Sequence, residues 1–247
     1  MNGSTVAVGW GLGAALLALT VVAVAVALVA RLGVARDVVT AVVRAVVQLA
    51  VVSAVIVGVV RHLGLAVGFV VLMFGVAAFT SARRITRHRS GFAAALPIAA
   101  GALPVVVIAV VSRAVPLTGI ALVPVSGIVI GGAMTATSLA GRRALDELTG
   151  RHGEYEAALS LGLLERDAAL EVTRASARQA LVPALDQTRT VGLVTLPGAF
   201  VGVLIGSGDP VQAGAAQILV LVGLLAAEAV AVAVTVELVA RGRIRRG

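Results

Sequence analysis

The side chains that could do chemistry are few in this 247-residue chain: twelve carboxylates, three histidines and twenty basic residues, all of them arginine, with no cysteine. Lacking cysteine, the chain has no disulfides, thiolate metal sites, iron–sulfur clusters or thiol nucleophiles. Lacking lysine, it has no G-x-x-x-x-G-K-[ST] loop and does not hydrolyse ATP by that route on its own. His62, His88 and His152 fall in loops, outside any H-E-x-x-H or H-x-E spacing, and read as solvated. Only Glu228 and Glu237 among the carboxylates fall in long apolar stretches, both in the same one, which excludes an intramembrane aspartyl dyad. No enzyme is expected.

Polar side chains inside apolar stretches are costly and mark pathways or interhelical pairs. Arg44 lies about six residues into its stretch, where its stem can snorkel to the surface, and Gln48 shares its face one turn further in. Glu228 is deeper, and two readings fit it: a hydrogen-bonding partner for another helix, or a proton or cation site in a path. Arg44, Gln48, Glu228 and the thioether of Met134 are the candidates for a translocation path. Glu237 sits four residues before Arg241 and reads as half of a local i,i+4 pair.

The elements that must carry these residues are membrane spans. Sixty per cent of the chain is apolar and 13% charged, with a mean hydropathy of +1.07, far from a soluble domain. A bilayer-spanning helix needs about 20 apolar residues. Seven stretches qualify, at roughly 6–30, 38–60, 63–82, 92–112, 119–140, 190–208 and 212–238. The first has no basic region ahead of it and is too long for a signal peptide, so it counts as a span. The expected fold is an all-α polytopic bundle forming one transmembrane domain over residues 1–247, with a cytoplasmic insertion at 141–190.

Arginine-rich short loops stay in the cytoplasm. An external N-terminus and a cytoplasmic C-terminus put seventeen of the twenty arginines inside, leaving Arg61 and Arg113 outside and Arg44 within a span. The basic pI near 11.6 is therefore membrane topology, and no nucleic-acid partner is expected. The lipid bilayer is the first partner the sequence requires.

Between Gly141 and Thr190 the composition turns soluble, with eight carboxylates among seven arginines. Arg142 to Leu148 prolong the fifth helix into water, and Gly153 and Gly162 bracket a short helix, Glu154 to Leu161. Leu161, Leu164, Ala168, Val172, Ala175 and Val182 form an amphipathic stripe, with Glu171 and Arg174 opposite. The insertion reads as a helix-turn-helix under the membrane. Small residues at Gly127 and Gly131, and again at Gly198 and Gly202, have the spacing that lets helix backbones approach closely. Asp209-Pro210 marks a tight outer turn. No internal repeat appears.

The string Glu156-Ala157-Ala158-Leu159-Ser160-Leu161-Gly162 resembles the start of the E-A-A-x-x-x-G loop of ABC-transporter permeases, whose short helix docks on an ATPase subunit. The Ile-x-Leu-Pro part of the importer pattern is missing downstream. Arg44-Ala45-Val46-Val47-Gln48-Leu49, Pro124-Val125-Ser126-Gly127 through Gly132-Ala133-Met134, Leu159 to Gly162, and Thr190 through Pro197-Gly198 and Gly208-Asp209-Pro210 to Gln217-Ile218 together resemble the FetB (YbbM) family. The order is consistent from about residue 36 to 225. Gly132 departs from the polar Asn expected there, so no metal ligand carries over at that point.

The resemblance implies the permease subunit of an ABC transporter in the bacterial inner membrane, exporting iron, another metal ion or a small solute. It implies an ABC ATP-binding subunit as partner and self-association as a permease homodimer. This chain would bind no cofactor, with ATP and Mg on the partner. Glu154, Glu156, Ala157, Ala158, Leu161 and Gly162 would form the coupling element. An ATPase-independent secondary transporter or channel using Glu228 is the rival reading, and a membrane scaffold the third.

Overall fold

A computed structural model describes residues 9–246. Among them the regular structure is helical, apart from one isolated bridge between Val191 and Thr195. The chain divides into two compact units, one running through Gly58 and one starting at Val59. The first holds α1 (Trp10–Val29) and most of α2 (Ala35–Arg61), joined by a turn in which Arg31 and Gly33 take positive φ. Only Ala27 is buried on α1 and nothing on α2, so these helices expose apolar side chains almost all round. Lipid or another apolar chain must cover them.

The second unit holds α3 (Leu63–Ile85), α4 (Ala95–Val111), α5 (Gly119–Gly150), α6 (His152–Ser160), α7 (Glu165–Arg178), α8 (Val182–Thr190), α9 (Gly198–Ser207) and α10 (Pro210–Ala240). Its centre is built from small side chains. Val129 and Ala133 of α5 meet Ala227 and Ala231 of α10; further along, Ala136 and Ala140 meet Val232 and Val236; further still, Ala144 and Leu145 meet Val239 and Ile244. Residue numbers rise together on both helices, so α5 and α10 run parallel. α3 runs the same way, since Gly127 faces Met73, Ser81 bonds the Met134 carbonyl and Ser138, and Gly141 faces Ile85. α4 runs opposite, with Val105 against Gly223 and Gly101 against the Ala227 carbonyl.

This arrangement gathers the arginine-rich C-terminal ends of α3, α5 and α10 at one end of the unit. Arg246 pairs with Asp146, and Ser90 Oγ donates to the Arg245 carbonyl at 3.1 Å. α5, with 32 residues, and α10, with 31, are about 48 and 46 Å long at 1.5 Å per residue, against a hydrocarbon core of about 30 Å. They outrun the bilayer by several turns.

Two parallel helices need a return path between them, and its second half is not the continuous span expected at 190–208. α7 packs Ala169, Leu170 and Ala177 into the α5–α10 cluster instead of lying as a separate layer. Its first turn lies beside Glu237, while Leu181, just past its end, reaches the level of Ala229. The chain then climbs through α8 and a turn at residues 191–197, where Gly192 takes φ +81°, into α9. Among the described residues six helices are long and apolar enough to cross a membrane; of the seven expected stretches, the one at 190–208 forms no single helix of that length. The Gly192 turn and Pro197 break it, leaving ten helical residues, about 15 Å.

The close approaches predict opposite effects of two glycine substitutions. A Cβ at Gly101 would collide with the Ala227 backbone carbonyl, whereas nothing lies within 4 Å of a Cβ at Gly131. Gly101→Val is expected to destabilise the protein by about 3 kcal/mol, and Gly131→Ala to be neutral or stabilising by up to about 1 kcal/mol, as read by thermal unfolding in detergent.

Candidate functional site

Three features of the second unit could carry function: a cavity beside α9, a buried carboxylate on α10, and an exposed hook after α6. The cavity has a volume of about 880 Å³ and lies among α5, α9 and α10, reaching from Pro116 on the α4–α5 link to Gln187 on α8. The breaks that make α9 short also make the cavity. Pro124 near the start of α5 and Pro197 before α9 both line it, as do Gly198 and Gly202. No neighbouring element comes within 4 Å of a Cβ at Gly198, Gly202 or Gly131, so of the four glycines expected at helix contacts only Gly127 meets one, against Met73.

Local chemistry holds this region in place. Gly208 ends α9 in the left-handed conformation, and Asp209 Oδ1 then accepts from the backbone N–H groups of Val211 at 2.8 Å and Gln212 at 3.3 Å, capping α10 ahead of Pro210. This is the tight turn expected at Asp209-Pro210. Buried Gln217 accepts from the Phe200 N–H at 3.1 Å, satisfying an orphan donor in the first turn of α9 and tying α9 to α10.

Glu228 lies one turn beyond Leu224 on α10 and is 8% exposed. Its carboxylate leans over Gly132, where a Cβ would sit 2.8 Å from Oε1 and collide with Leu224. Only a residue without a side chain leaves room for it. Among the described residues no hydrogen bond or ion pair reaches this carboxylate, and on α5 the buried hydroxyls of Ser126 and Thr137 are also unpartnered. Met134 packs against the Ala227–Ala231 cluster, and its carbonyl accepts from Ser81 at 3.1 Å. In the first unit Arg44 and Gln48 lie one turn apart on α2, both exposed. Among the described residues no group of three or more histidines and carboxylates converges as a metal site would require.

The hook starts where α5 ends. Arg151 Nε donates to Glu154 at 2.8 Å, Arg151 lies 3.6 Å from Glu147, and its Nη1 donates to the Val172 carbonyl at 3.3 Å. One guanidinium thus joins α5, α6 and α7, and its hydrogen bond holds the Glu154 carboxyl below its ordinary value. His152 lies 3.2 Å from Glu156. After α6 the chain turns at Gly162 with φ +91°, leaving Leu161 and Leu164 at 83% and 73% exposure, with Glu154, Glu156 and Ala157 exposed and Ala158 half-buried. Below the hook, Arg166 grips Glu237 with two hydrogen bonds of 2.7 and 2.8 Å, and Glu237 also takes the expected bond from Arg241. Sequence spacing signals Glu147–Arg151–Glu154, but nothing local signals Arg166–Glu237.

The chain has relatives among known proteins. The model of the family described as "Uncharacterised protein family (UPF0014)" matches residues 10–244. UPF0014 membrane protein STAR2 of Oryza sativa subsp. japonica is 35% identical over 67% of this chain and 58% of its own. Protein ALUMINUM SENSITIVE 3 of Arabidopsis thaliana is 33% identical over 62% and 58%, and the probable iron export permease protein FetB of Escherichia coli K12 is 32% identical over 53% and 50%. The aligned stretches thus span between half and three fifths of these relatives' lengths. No solved structure matches the chain. With six apolar helices of spanning length among the described residues and a family match over almost all of them, the chain is a multi-pass membrane protein that belongs to the UPF0014 family.

Proposed function

We propose that this chain is the membrane-spanning permease subunit of an ABC exporter, working as a homodimer with two copies of a separate ATP-binding subunit. The observation that carries the proposal is the α6 hook: a short helix ending in a left-handed glycine and solvent-facing leucines, mounted on a helix that overruns the bilayer at the basic end of the bundle. Apolar side chains so exposed on a polar end are what a partner subunit would cover. Closure of the ATP-binding subunits would push on the hook. Arg151 and the Arg166–Glu237 clasp would pass that push to α5 and α10, whose parallel seam borders the cavity.

In this reading the basic end is cytoplasmic, the N-terminus is external, and the membrane is bacterial and inner. The α7–α8–α9 arm supplies the seventh crossing as a broken helix, a form tolerated at membrane depth where it lines a cavity. Glu228, buried with no partner among the described residues, is a position for a cation in the path, and Gln217 and Gln187 line the cavity that Leu224, one turn before it, also lines. The name of the FetB relative, a probable iron export permease, supports a metal ion as substrate. ATP and Mg would be bound by the partner alone.

Reporter fusions at Gly64 and Gly208 are expected to read as external, and those at Ser90, Gly150 and Arg246 as cytoplasmic; an external reading at Gly150 would reverse the map. Gly162→Val forces a β-branched residue into the left-handed region and is expected to lower both capture of the ATP-binding subunit and transport by about tenfold, while membrane insertion is spared. Unchanged capture would mean that the hook is only a linker. Glu228→Gln keeps the shape and removes the charge; it is expected to cut metal export by at least about tenfold at normal protein levels, and full activity would exclude Glu228 from the path.

A further inference from the structure

The end of α3 and the turn into α4 carry a second feature that coupling does not use. Arg83, Arg84, Arg87 and Arg89 are exposed there and half-buried His88 stands among them, around two adjoining concavities of about 590 and 280 Å³, with Arg246 on the rim of the larger. Arg246 pairs with Asp146, but among the described residues none of these four arginines has a carboxylate within 4 Å. The turn is held in shape: Thr86 Oγ1 accepts from the His88 N–H, His88 Nδ1 accepts from the Ser90 N–H, each at 3.1 Å, and Ser90 Oγ donates to the Arg245 carbonyl. The positive groups therefore hang from an ordered frame.

Directly beside them lies an apolar surface. Phe79, one turn before Arg83, and Phe92, after the turn, pair with ring centroids 6.3 Å apart, and both are more than half exposed. The Arg83 guanidinium sits 5.4 Å from the Phe79 ring centroid. Val71, Leu72 and Val76 continue this exposed face along α3 toward the bilayer centre. A cluster of guanidiniums with no carboxylate partner among the described residues thus adjoins an aromatic pair and an exposed apolar strip, at the end of a helix long and apolar enough to span a membrane.

We infer that this is a binding site for an anionic phospholipid, whose phosphate sits among Arg83, Arg87 and Arg89 while an acyl chain lies along Phe79 and Phe92. Guanidiniums hold phosphate by paired, planar hydrogen bonds, and basic pockets at the end of a membrane helix bundle suit acidic headgroups. The site needs both halves. A free phosphate would use only the arginines, and an acidic protein surface would have no use for an aromatic pair facing lipid. The inference does not depend on an ATPase partner.

Native mass spectrometry of the full chain, purified in detergent with equal phosphatidylglycerol and phosphatidylcholine, tests it. Wild type is expected to retain phosphatidylglycerol about tenfold over phosphatidylcholine. The R83Q/R87Q/R89Q variant should lose that preference, and F79A/F92A should retain several-fold less phosphatidylglycerol, both keeping the wild-type melting temperature. Because the substituted side chains are exposed, the single variant R87Q, which should halve the preference or more, serves if the triple variant does not fold. Equal retention by wild type and variants would overturn the inference. So would displacement of the lipid by millimolar inorganic phosphate, which would mark a free-anion site. Loss of ATP-binding-subunit capture from phosphatidylcholine-only nanodiscs in the triple variant, with lipid retention unchanged, would also overturn it, since the cluster would then be a protein interface.

Discussion

The parallel seam between α5 and α10 is the constraint from which the rest of the second unit follows. It depends on side chains small enough for two backbones to come close: Ala133, Ala136 and Ala140 on one side, Ala227 and Ala231 on the other, with Gly132 leaving space for Leu224 and Glu228. Membrane helices have no hydrophobic drive to associate with one another, so close packing of such small residues is what holds them. Two neighbours that start at the same end cannot be joined by a short loop. Residues 151–209 must travel back along the bundle, and α7, α8 and α9 do so in three broken pieces.

That return path explains why the cavity and the basic end are where they are. The breaks at Gly192 and Pro197 leave α9 too short to fill the space beside α5 and α10, and a cavity of about 880 Å³ remains. The same parallel order gathers three arginine-bearing helix ends, of which those of α5 and α10 are clasped by Arg246–Asp146, Arg166–Glu237 and Arg151–Glu154. These pairs are largely exposed, so each adds little stability by itself. Their place is more telling than their strength, because Arg151 ties α5 to the hook that we propose meets the ATP-binding subunit, and Arg166 ties α10 to the helix that follows it.

Much of this was legible in the sequence because it depends on local pattern. Long apolar runs announce α1 to α5 and α10, Asp209-Pro210 announces the capped turn, Gly162 announces the bend that has φ +91°, and Glu237 four residues before Arg241 announces their pair. What could not be read depends on distant partners. The amphipathic stripe places Ala168 and Val172 on the packed face of α7, opposite exposed Glu171 and Arg174, but Leu161, Leu164, Ala175 and Val182, expected on the same stripe, are exposed, and Ala169 and Ala177 are packed instead. Periodicity reports an apolar face but not which helices cover it. Arg166 finds Glu237 across 71 residues of chain, and the glycines in closest contact, Gly101 and Gly132, have no G-x-x-x-G partner at the contact. Spacing reports that a helix could pack closely but not against what.

The central claim is that an ATP-binding partner, and not an ion gradient, drives this permease. It is tested most directly by adding radioactive iron outside inverted membrane vesicles that contain the chain and its ATP-binding partner, with and without a protonophore and with and without ATP. Export should appear as uptake into the vesicles that requires ATP, survives collapse of the proton gradient and disappears when the partner is omitted. Uptake by the chain alone that follows the proton gradient and ignores ATP would contradict the account and identify a secondary transporter.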